Sequence, residues 1–402
     1  MKILLAHCFY RSSSPSGEDV VFRNERALLE DHGNTVISLE RFNDNIEDRS
    51  FASKISLSHE TVWSRPSYDA VVTAIQKSKP DVAHFHNTFP QLSPSVYAAC
   101  QDSGVPVVQT LHNFRLVCAN GLLMRKGKPC EDCLSGGVIN ALIHRCYRNS
   151  LPATSVISWM QVKNRHQGVY HRQVNRYIAL TQFSIPRFIE GGLPEYRIAV
   201  KPNFLPSPPA FSREKERYAV FVGRLTAEKG ISTLLEAWKK LPDFALKIFG
   251  DGELRQELEK KLSRDKINAE FFGFRPRNEV LAAVSKASFQ IIPSECYEGF
   301  PLALLEAYAS GTAVLVSRLG GLDELVIDRE TGRKFEAGNP DSLAKIAQQL
   351  ISNPEQLTQL GRQAREEFDR KYTAERNYDQ LMKIYHEAIN DFHGKDVKES
   401  QA

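Results

Sequence analysis

Short apolar, β-branched runs alternate with helix-period segments along the chain, and the series begins twice. Lys2–Ala6, Thr35–Leu39, Asp81–Phe85, Pro106–Leu111 and Arg176–Leu180 read as strands of a first series. Val20–Asp31, Asp69–Lys77 and Ser93–Ser103 read as helices between them. The second series holds Tyr218–Val222, Phe244–Phe249, Glu270–Phe272, Phe289–Ile292 and Ala313–Val316 as strands. Ile231–Lys240, Glu253–Ser263, Arg277–Ser285 and Pro301–Ser310 are its helices. Such βα alternation predicts a doubly wound parallel sheet with helices on both faces, and its restart predicts two of them. The 402 residues are enough for two such domains.

The seam between them falls at 201–209, KPNFLPSPP, where four prolines in nine residues block regular structure. This gives a first α/β domain over 1–200, a linker over 201–209 and a second α/β domain over 210–371. A helical pattern from Ser342 toward Phe392 breaks near Tyr372-Thr373, so 372–393 reads as a separate final helix. Residues 394–402 are polar and read as a flexible tail.

No apolar run reaches the roughly 18–20 residues of a membrane span. The opening MKILLAHCFY lacks a long apolar core and a cleavage site, and reads as a buried strand rather than a leader. Seven cysteines, an odd number, argue for a reducing, cytoplasmic setting over a disulfide framework. The net charge of +4 is too small to point to nucleic acid.

In AVFVGRLTAEKG a strand ends at Gly223, read as a sharp turn, and Arg224 and Lys229 precede a helix. Ligands of open α/β sheets bind outside the carboxyl ends of strands. Two cations beside helix amides suit a diphosphate there, although solvated surface charges give the same pattern. In IIPSECYEGFPLALLEAYASG, Glu298, Gly299 and Phe300 form a loop, Pro301 opens a helix, and Gly311 fits just past its end. Glu298 lies at the helix mouth, where the dipole alone would favour it. Glu306 falls about 1.4 turns inside, among Leu304, Leu305 and Ala307. A carboxylate buried there needs a bonded partner.

These segments resemble the retaining GT-B glycosyltransferases, and most closely glycosyltransferase family 4 (glycosyl transferases group 1). EGFPLALLE matches that family's Glu-x7-Glu motif, VGRLTAEKG its donor-phosphate motif, and FGDGEL and FFGF the strand-end motifs between them. The likeness implies a GT-B fold, with two Rossmann-like domains facing across a cleft and the final helix crossing back. It implies that Arg224 and Lys229 bind the diphosphate of a nucleotide-sugar donor and that Glu306 binds the ribose. Glu298 would contact the transferred sugar with the backbone of Gly299, Phe300 and Pro301, and Phe274 would lie by the base. No catalytic metal is implied. The same fold also carries nucleotide-sugar epimerases and phosphorylases, and a silent sugar-nucleotide-binding subunit would share the motifs.

In the first domain, DVAHFHN and QTLHNF place His84, His86 and His112 at strand ends. His84 and His86 read as satisfied polar residues; the resemblance places His112 beside the donor sugar. SPSGEDVVF resembles the family's acceptor loop, with only Gly17 where a Gly-Gly pair is usual. Cys130-x2-Cys133, flanked by Cys118 and Cys146 within an insertion over about 113–150, has the spacing of a structural zinc site. A redox pair or unrelated buried thiols fit the same spacing. The implied acceptor is a glycan or polyprenyl-linked sugar of bacterial surface-polysaccharide assembly. Segment 133–189 contains seven Lys or Arg and no Asp or Glu, leaving −3 for the remainder. With Leu142, Ile143, Leu151, Trp159 and Met160 interleaved, it reads as solvated helix faces or as an anionic-membrane surface on the inner face of the plasma membrane.

Overall fold

The computed structural model describes residues 1–12, 16–46, 51–209 and 214–399. The chain divides into two compact units: residues 1–123, 130–202 and 377–402, and residues 124–129 and 203–376.

The first unit is built on strands β1 (Lys2–Phe9), β2 (Thr35–Phe42), β3 (Val82–Phe85) and β4 (Val107–Leu111). Next in the chain is a two-stranded antiparallel hairpin, β5 (Met124–Arg125) and β6 (Lys128–Pro129), which groups with the second unit; the first unit resumes with β7 (Arg176–Ala179) and β8 (Ile198–Val200). The six sheet strands are all parallel, in the order β2-β1-β3-β4-β7-β8. Seven successive residues of β1 are buried, the mark of a strand covered on both faces. Helix α1 (Gly17–Asp31) starts at a capping box: the Ser16 hydroxyl accepts from the Glu18 amide, and Asp19 accepts from the Ser16 amide. Helix α2 (Leu151–His166) is capped by Ser150. The final helix, Ala374–Glu399, sets Leu381, Ile384, Tyr385 and Ala388 against Ile3, Leu5, Phe22 and Val108. It runs on through 394–399, so the expected flexible tail is helical up to Glu399. The run is rich in Lys and Glu and holds no Pro, and Gly394 alone does not stop it.

The second unit contains β9 (Glu216–Val222), β10 (Ala245–Phe249), β11 (Ala269–Gly273), β12 (Ala287–Ile292), β13 (Ala313–Ser317) and β14 (Arg333–Phe335). They form a parallel sheet in the order β11-β10-β9-β12-β13-β14. Counted within the unit this is 3-2-1-4-5-6, the dinucleotide-fold order, and it reverses between β9 and β12. Three helices serve the strand ends: α3 (Ile231–Trp238), α4 (Arg277–Lys286) and α5 (Leu302–Ala309). Trp238, Phe244, Phe289 and Leu315 are among the residues of its core. The pattern read as one helix from Ser342 is broken early. Helices Pro340–Ile351 and Pro354–Lys371 are separated because Pro354 cannot continue the first, and Asn353 caps the second.

The proline-rich segment has neither helix nor strand, as expected, but its first half is not a solvated tether. Lys201, Asn203, Phe204 and Leu205 are all buried. Strands β8 and β14, only three residues each, escaped the sequence pattern, as did helix Phe51–Val62.

Candidate active site

In the second unit the candidate residues gather where the strand order reverses. β9 and β12 are hydrogen-bonded neighbours, and their carboxyl-end loops carry Lys229 and Glu298. The loops are tied by Glu295 N donating to Glu228 O (2.9 Å) and by Thr233 Oγ1 donating to Glu295 Oε1 (2.6 Å). Gly230 (φ 68°) lets the β9 loop lie against Pro293, where a Cβ would come within 1.8 Å of the Pro293 carbonyl oxygen. Lys229 Nζ then meets Glu298 Oε1 at 2.6 Å, and Ser294 Oγ donates to the same oxygen at 2.5 Å. Burial by itself would raise the Glu298 carboxyl. The Lys229 charge and the two hydrogen bonds outweigh it and hold the group below the usual carboxylate range. For Lys229, burial pulls the other way, and Glu298 raises it. Both are charged near neutrality. Arg224 is half exposed, with only a loose 3.4 Å contact to Glu228, so its guanidinium can reach a ligand.

Gly223 bends the chain just past the end of β9, as expected, without a left-handed backbone. The glycine required by close approach is its neighbour: a Cβ on Gly250 (φ 130°) would lie 1.9 Å from the Gly223 carbonyl oxygen. Gly223 N donates to Phe249 O, and Gly250 N to Gly273 O, drawing the ends of β9, β10 and β11 together.

Glu306 is 8% exposed on α5, and the partner it requires is Arg277, the first residue of α4, at 3.2 Å. Burial raises its carboxyl, against the pull of Arg277. Pro301 is the cap of α5 rather than part of its first turn; Gly311 (φ 61°) lies just past the end, as expected. No side chain caps α5, so the amides of its first turn are left without a side-chain acceptor. Phe300 is buried against Tyr372, and its carbonyl accepts from Asn203 Nδ2. Phe274, 73% exposed, follows β11 on the same edge of the sheet.

In the first unit, Gly17 is exposed at the start of α1; Ser14 and Pro15 of its loop lie outside the described residues. Asp19 also binds His7 Nε2 at 2.8 Å. Glu18 Oε1 accepts from Asn113 Nδ2 (2.9 Å), which links the Gly17 loop to the segment bearing His112. His112 Nε2 lies 2.9 Å from His86 Nδ1, and His86 Nε2 lies 3.1 Å from Glu25 Oε1. Lys201 Nζ closes the chain on Glu25 Oε2 at 2.9 Å. His84 and His86 are satisfied and buried, as expected, and His86 also touches His112. Glu25, Lys201 and Arg277 escaped sequence reasoning. Arg277 stood visible at a helix start close to Phe274; nothing local marks the other two.

Cys118, Cys130 and Cys146 all act on Cys133, whose thiol is pushed up to about 11 by burial and by these neighbours. None is in a disulfide. The four thiols are soft donors suited to zinc. No three of their sulfurs lie within 4.8 Å of one another, whereas Zn–S bonds of about 2.3 Å put sulfurs about 3.8 Å apart. The side chains must draw in to form a tetrahedral shell. The grouping of His, Cys or acidic atoms that does close within 4.8 Å among the described residues is Glu25, His84 and His86, which is already served by Lys201.

The basic segment resolves into two parts. Arg176 pairs with Glu387 and Asp391, and Arg187 with Glu131, while Ile157, Met160, Val169 and Tyr170 are buried. Ile139, Ile143, Leu151, Trp159 and Val162 are exposed, as are Arg145 and Arg148, while Lys163 is half-buried with its ammonium over the Trp63 ring. No helix among the described residues is long and apolar enough to cross a membrane.

Two Rossmann-like parallel-sheet units, one with paired cation and carboxylate at its switch point, define the GT-B class of fold. Residues 207–367 match the family model of Glycosyl transferases group 1. An uncharacterized glycosyltransferase of Methanocaldococcus jannaschii is 33% identical over 171 residues, 42% of this chain and 48% of the relative. The glycogen synthase of Mycobacterium tuberculosis is 31% identical over 153 residues, 37% of each chain. The matched stretch thus spans less than half the length of these curated relatives. Sucrose-phosphate synthase from Thermosynechococcus elongatus has the same fold, with TM-score 0.69, 17% identity, and 96% and 98% of the two chains covered. So has Anabaena HepE in complex with UDP, with TM-score 0.65, 17% identity, and 95% and 99% covered.

Proposed function

We propose that this chain is a retaining glycosyltransferase of family 4 that moves a sugar from a nucleotide-diphosphate donor to a glycan or lipid-linked acceptor in bacterial surface-polysaccharide assembly. The observation that carries the reading is the Lys229–Glu298 pair at the sheet's switch point, with Glu306 on the helix that follows. Lys229 and Arg224 offset the diphosphate charge as it leaves, without a metal ion. The ionised Glu298 accepts from sugar hydroxyls, and Glu306 accepts from the ribose, with Phe274 free to stack on the base. The α5 amides add hydrogen-bond donors. In the first unit His112 contacts the transferred sugar, and the Gly17 loop meets the acceptor. Retention follows from attack on the face the leaving group occupies, with the departing phosphate taking the acceptor proton.

HepE carries UDP in its solved complex, so uridine donors are the first to try. The test is a donor and acceptor screen with purified protein, read by nucleoside-diphosphate release and product anomer. Acceptor-dependent release with retained configuration, unaffected by a chelator, supports the reading. Donor interconverted without acceptor means an epimerase instead, and binding without turnover across the panel a silent subunit.

The exposed Ile139, Ile143, Trp159 and Val162 beside Arg145, Arg148 and Lys163 support peripheral docking of this cytoplasmic enzyme on anionic lipid. Co-sedimentation with vesicles that ignores anionic lipid and salt would remove that idea. The four cysteines are proposed as a structural zinc site; elemental analysis giving no stoichiometric zinc would remove it.

A further inference from the structure

The contacts behind His112 determine which of its nitrogens carries the proton. Glu25 lies at the centre and is 1% exposed, as buried as Lys201 beside it. Lys201 Nζ donates to Glu25 Oε2 at 2.9 Å and to Asn377 Oδ1 at 3.1 Å. Asn377 Nδ2 in turn donates to the Pro202 carbonyl, which holds the lysine's own backbone in place. With an ammonium against it, the carboxylate stays ionised, well below the usual range despite its burial. An ionised carboxylate can only accept hydrogen bonds.

Glu25 Oε1 faces His86 Nε2 at 3.1 Å, so that nitrogen must carry a hydrogen. Lys201 already balances the carboxylate, and a second buried cation would be costly. His86 is therefore neutral, in keeping with burial pushing its imidazole down to about 3. A neutral imidazole has one N–H, so His86 Nδ1 is a bare lone pair. Its neighbour at 2.9 Å, His112 Nε2, must then be a donor. His84, the other histidine on Glu25, has its Nε2 on Thr110 and its Nδ1 near both Tyr385 and Glu25, and does not reach His112.

We infer that Glu25 and His86 are positioning residues that lock His112 in the neutral tautomer with hydrogen on Nε2, so that its Nδ1 meets the ligand purely as a hydrogen-bond acceptor. On the reading above, in which His112 lies by the donor sugar, the partner it selects is a sugar hydroxyl. A phosphate oxygen, having no hydrogen to give, is disfavoured. Lys201 acts one step further back, by keeping Glu25 ionised.

The test labels the histidines of the full chain with ¹⁵N and reads the His112 tautomer from long-range proton–nitrogen correlations, with His112→Gln assigning the signals. Wild type is expected to show hydrogen on Nε2 and a bare Nδ1 near neutral pH. His86→Phe is expected to release the tautomer into a mixture and to lower kcat about tenfold or more, with donor KM within about threefold. Glu25→Gln alone strands Lys201, so it is paired with Lys201→Met. In that double variant an amide oxygen still accepts from His86, and tautomer and kcat should return to within about threefold of wild type. Hydrogen on Nδ1 in wild type, or a single tautomer with unchanged kcat in His86→Phe, overturns the inference. The tautomer is read without substrate. A wild type locked as stated but inactive with every donor would therefore sink the transferase reading and leave the relay standing.

Discussion

Lys229 and Glu298, 69 residues apart in sequence, meet at 2.6 Å because their loops leave adjacent strands at the point where the sheet order reverses. Each charge is kept in place by the other, and Ser294 donates a second hydrogen bond to the same carboxylate oxygen. On the proposed reading, a diphosphate arriving at Lys229 enters a site whose charges are already oriented. That saves reorganisation when negative charge grows on the leaving group.

Lys229→Met is expected to lower kcat/KM for transfer by about a hundredfold or more, the cost of removing one preorganised charge. It also strands Glu298, so Lys229→Met/Glu298→Gln should be more stable than Lys229→Met alone in a denaturant titration, yet no more active. A double variant less stable than the single would show that the pair is not coupled.

Gly230→Ala tests the loop crossing. A left-handed backbone costs a non-glycine residue about 1–3 kcal/mol. The added Cβ would also press on the Pro293 carbonyl. Stability should fall by at least that amount and donor affinity should fall with it. Gly33→Ala, also at positive φ but with nothing near its Cβ, should cost only the backbone strain.

Lys201→Met leaves Glu25 ionised and buried without its main partner, and should destabilise the chain by about 3–5 kcal/mol. Glu25→Gln/Lys201→Met should recover most of that loss. Urea midpoints of the two variants, at unchanged slope, give the comparison.

Acid and base act on these carboxyls with opposite sign. Glu25 and Glu298 have folded pKa values below their unfolded ones. Their stabilisation is present above about pH 4.3 and is lost as pH falls through the folded values. Glu306 is raised by burial. Its favourable contribution holds below about pH 4.3 and is lost as pH rises through its folded value. Glu306→Gln should therefore match or exceed wild-type melting temperature at pH 7 while losing donor binding. A lower melting temperature at pH 7 would contradict this assignment.

The sheets and their order of appearance were legible because strands buried on both faces read as apolar runs such as Ile3–Ala6 and Val314–Val316. The candidate residues of the second unit could be picked out from local strings, since Lys229, Glu298 and Glu306 follow strand ends closely. Their partners were not. Glu25 and Lys201 are 176 residues apart, and Arg277 and Glu306 come from different helices, so only the fold brings them together. Proline density marked 201–209 as irregular but said nothing of burial, and Lys201 was hidden in it. Gly223 was legible as the turn after β9, whereas the need for glycine at 250, set by the Gly223 carbonyl passing close by, is encoded in no local pattern.

The central claim is that the switch point of the second sheet holds a nucleoside diphosphate through Lys229 and Glu306. Titration calorimetry of the full chain with UDP, GDP and ADP, without added metal, tests it most directly. Saturable one-to-one binding of one nucleotide, lost in both Lys229→Ala and Glu306→Ala while each variant stays folded, is the predicted result. Binding of none of the three, or undiminished binding in either variant, would contradict it.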